Sequence, residues 1–292
     1  MPPMTVTEAF QTFKSGLELP DRKQKEAASA QQDIRSRITK YLFVADSVLT
    51  GSYSRYTKID PLNDIDILLI RNTTRTGLST DGSGVFPSQA LDDVVNAVQQ
   101  AYPGMATIKK QSRSANVQMP GVDFGFDLIP AWLRQPGGYW IPDSESATWI
   151  PTDPEAHARI MTEINDRCGG KLKPLIKMVK HWSRNNYDLI RSFHLELICA
   201  DIFSREKLTN FPVGVATVLL RLPGYVGGQF MDPIYGVSRV DKSLSPDEQS
   251  QLNLRINFDA QRSLDALNLE AGGQHGAAIE KWKYIFMSGF PQ

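Results

Sequence analysis

The sequence predicts an α+β protein in which a sheet-containing half is followed by a helical half. Two observations support this fold class. Up to about residue 165, strand-like apolar runs mix with helical patterns, whereas beyond it the apolar positions recur almost entirely with a helical period. A chain of 292 residues also exceeds a typical single domain. We therefore expect two substructures, residues 1–165 and residues 166–292.

The first half alternates helices with strands. A helix is predicted to begin after Asp21, and the segment 71–87 is rich in Thr, Ser and Gly, which predicts a mobile loop with disorder slightly favoured over a lid. Ser88 is the expected cap of the helix that follows this loop. Strands are predicted at residues 44–50, 64–70, 106–110, 115–119 and 123–129.

The second half reads as a series of helices. Asp153 is the expected N-cap of the first, with Pro154 at its first position and Gly169-Gly170 as its stop. The next helix carries the apolar stripe Leu172, Leu175, Ile176 and Val179, and later helices are predicted at 193–205, 213–220, 246–269 and 277–287. A cleft between a sheet half and a helical half is a natural ligand site.

Composition narrows the class of protein. Hydrophobic residues make up 41% and charged residues 22%, and no run approaches the roughly 18 apolar residues of a membrane span. The 32 basic residues balance the 32 acidic ones, so no global field would gather a long polyanion. The start of the chain lacks a secretory pattern, which favours a cytoplasmic protein in which Cys168 and Cys199 are reduced, partly buried thiols.

Three aspartates are the candidate catalytic residues. Asp64 and Asp66 are two apart in a predicted strand and therefore share a face, while Asp127 interrupts the apolar run of another strand. Asp-x-Asp alone fits a solvated strand end as well as a metal site. Together with Asp127 it predicts a carboxylate cluster that holds two Mg²⁺ ions, roughly 3.5 to 4 Å apart, for nucleotidyl transfer. Asp123 is interpreted as a charge at a strand edge.

Other residues could bind a nucleotide. Gly51-Ser52 lies between two strands, where glycine allows close approach of a phosphate and the serine hydroxyl can bind it. Lys180 falls beside the apolar stripe of its helix and could reach a cleft wall. Ser192 offers a hydroxyl, and Phe193 fits base stacking and core packing equally well. The four histidines show no metal-cluster spacing and receive no role.

These motifs resemble a known family. Gly51-Ser52, Asp64-x-Asp66 and the run 126–130 (Phe-Asp-Leu-Ile-Pro) are similar to the nucleotidyltransferase core of the cGAS/DncV-like enzymes, also called CD-NTases of the SMODS class. The segments 175–182 and 192–197 also resemble those of 2'-5'-oligoadenylate synthases. The resemblance spans about residues 30 to 200 and continues weakly to the end of the chain.

The resemblance implies a polymerase-β-like palm with a helical C-terminal lobe. It implies a Mg²⁺-dependent enzyme, with Mn²⁺ as a substitute, that makes a cyclic oligonucleotide second messenger from ATP and a second NTP in bacterial anti-phage (CBASS-type) signalling. A separate effector protein would sense the product. By motif, Asp64, Asp66 and Asp127 would bind metal, Ser52 and Lys180 the donor triphosphate, Ser192 would assist, and Phe193 would stack on a base.

Two other interpretations remain open at this point. A nucleotidyltransferase of this class could modify RNA or a protein, although the zero net charge counts against RNA. An idle nucleotide-binding module is a further alternative, although binding alone would not require three repelling carboxylates. The zinc-binding insertion of the animal cyclic GMP-AMP synthase is absent from the sequence. Activation by long duplex nucleic acid is therefore not expected.

Overall fold

The computed structural model describes residues 4–72 and 84–291 and contains one mixed sheet in that part. The strand order is β1-β2-β5-β4-β3, with β2 and β5 parallel and the other neighbours antiparallel. A hairpin of two further strands, β6 and β7, continues from the end of β5. The strands are β1 (Val44–Thr50), β2 (Asp64–Arg71), β3 (Thr107–Lys110), β4 (Ala115–Gln118), β5 (Gly125–Leu133), β6 (Tyr139–Asp143) and β7 (Thr148–Thr152).

Helices cover one face of this sheet and form the second lobe. In the described residues they are α1 (Val6–Gly16), α2 (Asp21–Leu42), α3 (Gly51–Ser54), α4 (Pro87–Ala101), α5 (Pro154–Arg167), α6 (Leu172–Asn185), α7 (Ser192–Arg205), α8 (Phe211–Arg221), α9 (Pro246–Ala271) and α10 (His275–Phe286), with a 3-10 turn at Leu222–Gly224. None of these helices is long and apolar enough to cross a membrane. The polymerase-β-like palm with a helical lobe is confirmed.

Strand alternation separates the two faces of the sheet. Ile65, Ile67 and Leu69 of β2 are buried against α2 and α4, in one core with Phe126 and Leu128 of β5. Because side chains alternate along a strand, the aspartates of β2 and β5 point to the opposite face. That face is open toward the helical lobe, and it carries the site.

The first helix packs in the helical lobe. Phe10 and Phe13 of α1 are almost fully buried and lie in one core with Trp282 and Phe286 of α10. The ring centroids of Phe10 and Trp282 are 5.0 Å apart in an edge-to-face arrangement, which is a favourable geometry for aromatic pairs. The division at residue 165 remains a prediction, and α1 contributes its apolar side to the core of the second lobe.

Most predicted elements are confirmed, and the differences have local causes. The strand predicted at 123–129 is β5, which begins at Gly125 and continues to Leu133 through Pro130. The predicted cap Ser88 is wrong: Phe86 is the N-cap and Pro87 occupies the first turn, because the fixed φ of proline suits that position. Asp153 caps α5 as predicted and accepts from the Ala156 amide at 2.8 Å.

Some features lay beyond the sequence patterns. Neither α1 nor the β6–β7 hairpin was predicted. The loop prediction for 71–87 falls largely on residues 73–83, which lie outside the described residues. Cys168 and Cys199 are free thiols as expected, and both are buried. Asp123, interpreted as a strand-edge charge, forms an exposed ion pair with Lys23 at 2.7 Å.

Candidate active site

The three candidate aspartates lie together on the open face of the sheet. Asp66 on β2 is directly opposite Asp127 on the parallel neighbour β5, and Asp64 is opposite Gly125. The absence of a side chain at Gly125 makes room for Asp64, since a Cβ there would lie 2.4 Å from its Oδ1. Parallel pairing of two strands thus assembles residues that are about 60 positions apart in the sequence.

Asn116 connects two of these carboxylates. Its Nδ2 donates to Oδ1 of Asp64 and to Oδ1 of Asp127, both at 2.9 Å, and the Ser114 hydroxyl also donates to Asp127 at 3.3 Å. Asn116 lies in β4, in register with Asp127, and Ser114 directly precedes that strand. Sequence reasoning missed Asn116, since an amide in a short strand carries no pattern of its own.

The cluster concentrates negative charge. Burial, followed by repulsion from Asp127, raises the pKa of Asp66 to about 7, although the nearby Arg55 opposes this shift. Burial, and to a lesser extent the charge of Asp64, also raises the pKa of Asp127. A bound cation would reduce the repulsion between such partly buried carboxylates.

The Gly51-Ser52 turn lies directly against the cluster. Gly51 has φ +66°, and a Cβ at this position would lie 1.7 Å from Oδ2 of Asp66. Both the backbone conformation and the close approach therefore require glycine. Gly51 and Ser52 begin the one-turn helix α3 between β1 and the loop that leads to β2. The turn brings backbone amides and a hydroxyl beside the aspartates.

A cavity of about 390 Å³ joins the two lobes at this point. Gly51, Ser52 and Asp66 line it from the palm, and Ser192 and Phe193 line it from the start of α7. Its floor is the apolar surface of β2, β5 and the β6–β7 hairpin, including Leu68, Ile129, Ile141 and Ile150. The volume suits a nucleotide-sized ligand, as small-molecule sites commonly occupy 300 to 1,000 Å³.

Lys180 occupies a different place from the one predicted. Its side chain is buried behind the cavity wall, where Nζ donates to Oε1 of Glu196 at 2.5 Å and to the Thr57 carbonyl at 3.1 Å. Burial lowers the pKa of this amine, against the charge of Glu196. The helical wheel placed Lys180 beside an apolar stripe correctly, but it could not show that a carboxylate on the next helix would pair with it.

Other cavity residues were missed or received no role. His157 lines the cavity, where its Nε2 lies 3.1 Å from Oδ1 of Asp232 and its ring packs edge-on against Phe193. Arg55 stacks its guanidinium over the Phe193 ring at 4.7 Å and bonds Glu196. Arg55 lies three residues after Ser52 in sequence, so its place near that turn was a usable signal. The His157–Asp232 pair joins segments that are distant in sequence, so no sequence pattern indicated it.

The donor set fits a divalent cation by its chemistry. Asp64, Asp66 and Asp127 supply hard carboxylate oxygens, and burial together with repulsion between these carboxylates raises the pKa of Asp66 and Asp127. As the side chains stand, no group of three or more acidic, histidine or cysteine residues in the described ranges forms a ready metal cage. Asn116 bonds only Oδ1 of Asp64 and of Asp127, so the Oδ2 atoms of both carboxylates are not engaged by this amide.

Comparison with known proteins gives consistent matches. The pattern of the Second Messenger Oligonucleotide or Dinucleotide Synthetase (SMODS) domain matches residues 4–165. The cyclic AMP-AMP-AMP synthase of an Acinetobacter strain is 30% identical over 99% of this chain and 86% of its own length. A probable cyclic nucleotide synthase of Bacillus cereus is 26% identical over 82% of this chain and 81% of its own.

Solved structures share the fold at low sequence identity. CdnC of Escherichia coli MS115-1 with ATP superposes with a TM-score of 0.77 at 16% identity, covering 98% of this chain and 99% of its own. A second structure of that protein is a complex with HORMA-deltaN. The apo form of DncV from Vibrio cholerae has a TM-score of 0.79 at 11% identity over 99% and 96% of the two chains.

Proposed function

The chain belongs to the Second Messenger Oligonucleotide or Dinucleotide Synthetase family, and we propose that it uses ATP as a substrate in the cavity between its lobes. It is a nucleotidyltransferase that synthesises a cyclic oligonucleotide second messenger from nucleoside triphosphates. In each step a ribose hydroxyl attacks the α-phosphorus of a triphosphate, the bond between the α-phosphorus and the bridging oxygen breaks, and pyrophosphate leaves. The Acinetobacter relative, named for a product of three AMP units, supports ATP as a substrate.

One observation carries the assignment of the site. Asp66 of the aspartate cluster and the Gly51-Ser52 turn face Ser192 and Phe193 across one cavity, although the two sides come from different lobes. Phosphoryl transfer needs mainly positioning and charge stabilisation, because the protein does little covalent chemistry. A cavity with carboxylates at one wall and a stacking surface at another supplies both.

Enzymes of this family generally use divalent metal ions. We propose that two Mg²⁺ ions, or Mn²⁺ in their place, would be held by Asp64, Asp66 and Asp127. When bound, such ions lower the pKa of an attacking hydroxyl and neutralise charge on the leaving phosphate. The close contact of Gly51 with Asp66 keeps the phosphate-binding turn beside these carboxylates.

The remaining side chains position the nucleotide in this proposal. Ser52 and the amides of its turn bind the donor phosphates, and the exposed Ser192 hydroxyl contacts them from the other lobe. Phe193 stacks on a base, with His157 at its edge. Lys180 would bind phosphate directly only after its Nζ leaves Glu196, so a direct role for it is the least supported of these assignments.

The product would act through another protein. We propose a cytoplasmic role in anti-phage signalling of the CBASS type, in which a separate effector binds the cyclic product. The names of the Escherichia coli relatives, CBASS oligonucleotide cyclase CdnC, support this role. A further protein partner is suggested by the complex of CdnC with HORMA-deltaN, which is a property of that protein.

Mass spectrometry of small products tests the proposal. The wild type, Asp66→Asn and the matched control Asp123→Asn are incubated with all four NTPs and Mg²⁺ or Mn²⁺. We expect a cyclic product containing adenosine from the wild type and none from Asp66→Asn. The control should also give this product, since Asp123 is an exposed, ion-paired residue outside the cluster.

The alternatives give different results. A product that lacks adenosine would overturn the assignment of ATP. Label transferred from NTP to RNA or to protein, without a small cyclic product, would support a modifying transferase instead. Equal yields from Asp66→Asn and the wild type would contradict the proposed place of the carboxylates.

A further inference from the structure

A buried charge cluster lies at the cavity wall, where Arg55 and Glu196 belong to the lining. Glu196 on α7 is fully buried, and its carboxylate accepts from Nε of Arg55 at 2.7 Å and from Nζ of Lys180 at 2.5 Å. The charges of Arg55 and Lys180 overcome burial and lower the pKa of Glu196 to about 2. We call these three residues the Glu196 cluster. Because its pKa is low, the Glu196 carboxylate is ionised in the folded protein near neutral pH.

The cluster crosses from one lobe to the other. Arg55 follows the Gly51-Ser52 turn of the palm, whereas Lys180 and Glu196 lie on α6 and α7 of the helical lobe. Lys180 reaches back as well, because its Nζ also donates to the carbonyl of Thr57 in the palm. The phosphate-binding turn and the helix that starts with Ser192 and Phe193 are thus joined through one carboxylate.

Arg55 keeps part of its binding capacity free. Only its Nε is bonded to Glu196, and no residue of the described chain accepts a hydrogen bond from Nη1 or Nη2. The guanidinium lies in the cavity lining and over the Phe193 ring at 4.7 Å. A planar guanidinium with two free nitrogens matches phosphate oxygens, and Arg is well suited to this geometry.

The cluster carries one more positive charge than negative. Glu196 has two cations as partners, and the one that lines the cavity is Arg55, whose charge also acts on Asp66. Burying such charges costs free energy unless they are paired. An anion in the cavity would complete the balance, and the phosphates of a nucleotide are such an anion.

We infer that Glu196 is a positioning residue that aims the free guanidinium nitrogens of Arg55 at the phosphates of a bound nucleotide. Lys180 supports this arrangement by holding Glu196, without touching the nucleotide. The inference rests on the proposed ATP site. It predicts that Glu196 acts on nucleotide binding through Arg55.

A double-mutant cycle tests this coupling. Arg55→Met, Glu196→Gln and the double variant are compared with the wild type by pyrophosphate release and by equilibrium binding of ATP. We expect each single change to weaken ATP binding and to raise KM about tenfold or more, with a smaller effect on kcat. In the double variant the loss of ATP affinity is no greater than in Arg55→Met alone, because the guanidinium that Glu196 positions is already absent.

Matched variants separate positioning from folding. Glu18→Gln removes the partner of Lys177, which lies one turn before Lys180 on the same helix, and this variant should keep its ATP affinity. Glu196→Asp retains the charge and should recover part of the affinity lost in Glu196→Gln. Arg55→Lys keeps the cation without the fork and should remain folded with weak ATP binding.

The contrary results are equally defined. If the losses of the two single variants multiply in the double variant, or if ATP affinity falls only in step with the melting temperature, Glu196 is a structural ion pair alone. Unchanged affinity in Arg55→Met and Arg55→Lys would also overturn the inference. The binding measurement stands apart from the proposed function, since an inactive wild type that binds ATP would contradict synthesis and still test the coupling.

Discussion

Gly51 is the residue whose substitution has the most direct expected effect. Its φ of +66° costs an L-residue about 1 to 2 kcal/mol, and a Cβ would overlap Oδ2 of Asp66 at 1.7 Å. We expect Gly51→Ala to displace Asp66 and to lower kcat/KM at least about a hundredfold, since small misplacements of reacting groups are costly. Pyrophosphate release measures this loss.

Gly104→Ala is the matched control for that substitution. Gly104 has a similar φ of +68°, but a Cβ there would meet nothing within 4 Å. Gly104→Ala should therefore lower the melting temperature, because of the strained backbone conformation, and keep full activity. Equal activity in the two variants would show that the contact between Gly51 and Asp66 is not needed.

Asp66 predicts a pH dependence of stability. Its folded pKa of about 7 is above its ordinary value of 3.8, so in a chelating buffer the ionised carboxylate destabilises the folded state. This penalty is fully present above pH 7, shrinks as pH falls, and vanishes below about pH 3.8. Asp66→Asn should therefore raise the melting temperature at pH 8 and not at pH 3.5. A constant difference across that range would contradict the assigned cause.

Glu196 predicts the opposite sign. Its folded pKa of about 2 is below the ordinary 4.5, so its ionisation stabilises the folded protein above pH 4.5, and this contribution is lost as pH falls toward 2. Melting temperatures of wild type and Glu196→Gln should differ most near neutral pH and converge in acid. A difference that grows below pH 4.5 would rule this out.

At the scale of elements, α1 is expected to stabilise the helical lobe. Phe13 is 1% exposed and its ring centroid lies 4.5 Å from that of Phe286 on α10. Phe13→Ala should lower the free energy of unfolding by about 3 to 5 kcal/mol, the usual cost of emptying such a site. Phe86→Ala, at a residue 79% exposed, is the control and should cost little. Denaturant unfolding distinguishes the two.

The elements also show what the sequence could predict. Strand β2 and the carboxylates on it were predictable, because Ile65, Ile67 and Leu69 alternate with Asp64 and Asp66. The β6–β7 hairpin was not, since Pro142 and Pro151 disfavour a strand assignment and its pairing depends on the end of β5. The local period of apolar residues predicts a helix or strand, whereas pairing with the rest of the sheet determines whether segments such as this hairpin form strands.

The candidate site divides in the same way. Asp64, Asp66, Asp127 and Gly51-Ser52 carry short-range patterns, and the structure brings them together at one end of β2 and β5. Lys180 could be placed beside its apolar stripe, but its pairing with Glu196 depends on how α6 packs against α7. The contacts of Asn116, Arg55 and His157 likewise cross between elements, which no single-sequence pattern encodes.

For the whole molecule, the charge distribution predicts how the enzyme responds to nucleic acid. The chain has no net charge, and the cavity is lined by single cations such as Arg55, near the Gly51-Ser52 turn. Affinity for long duplexes comes mainly from many phosphate contacts and counterion release, which requires an extended basic surface. We therefore expect long duplex DNA or RNA to leave the rate of product formation unchanged at 150 mM salt. Stimulation that weakens steeply with added salt would contradict this and reveal a basic surface formed on activation.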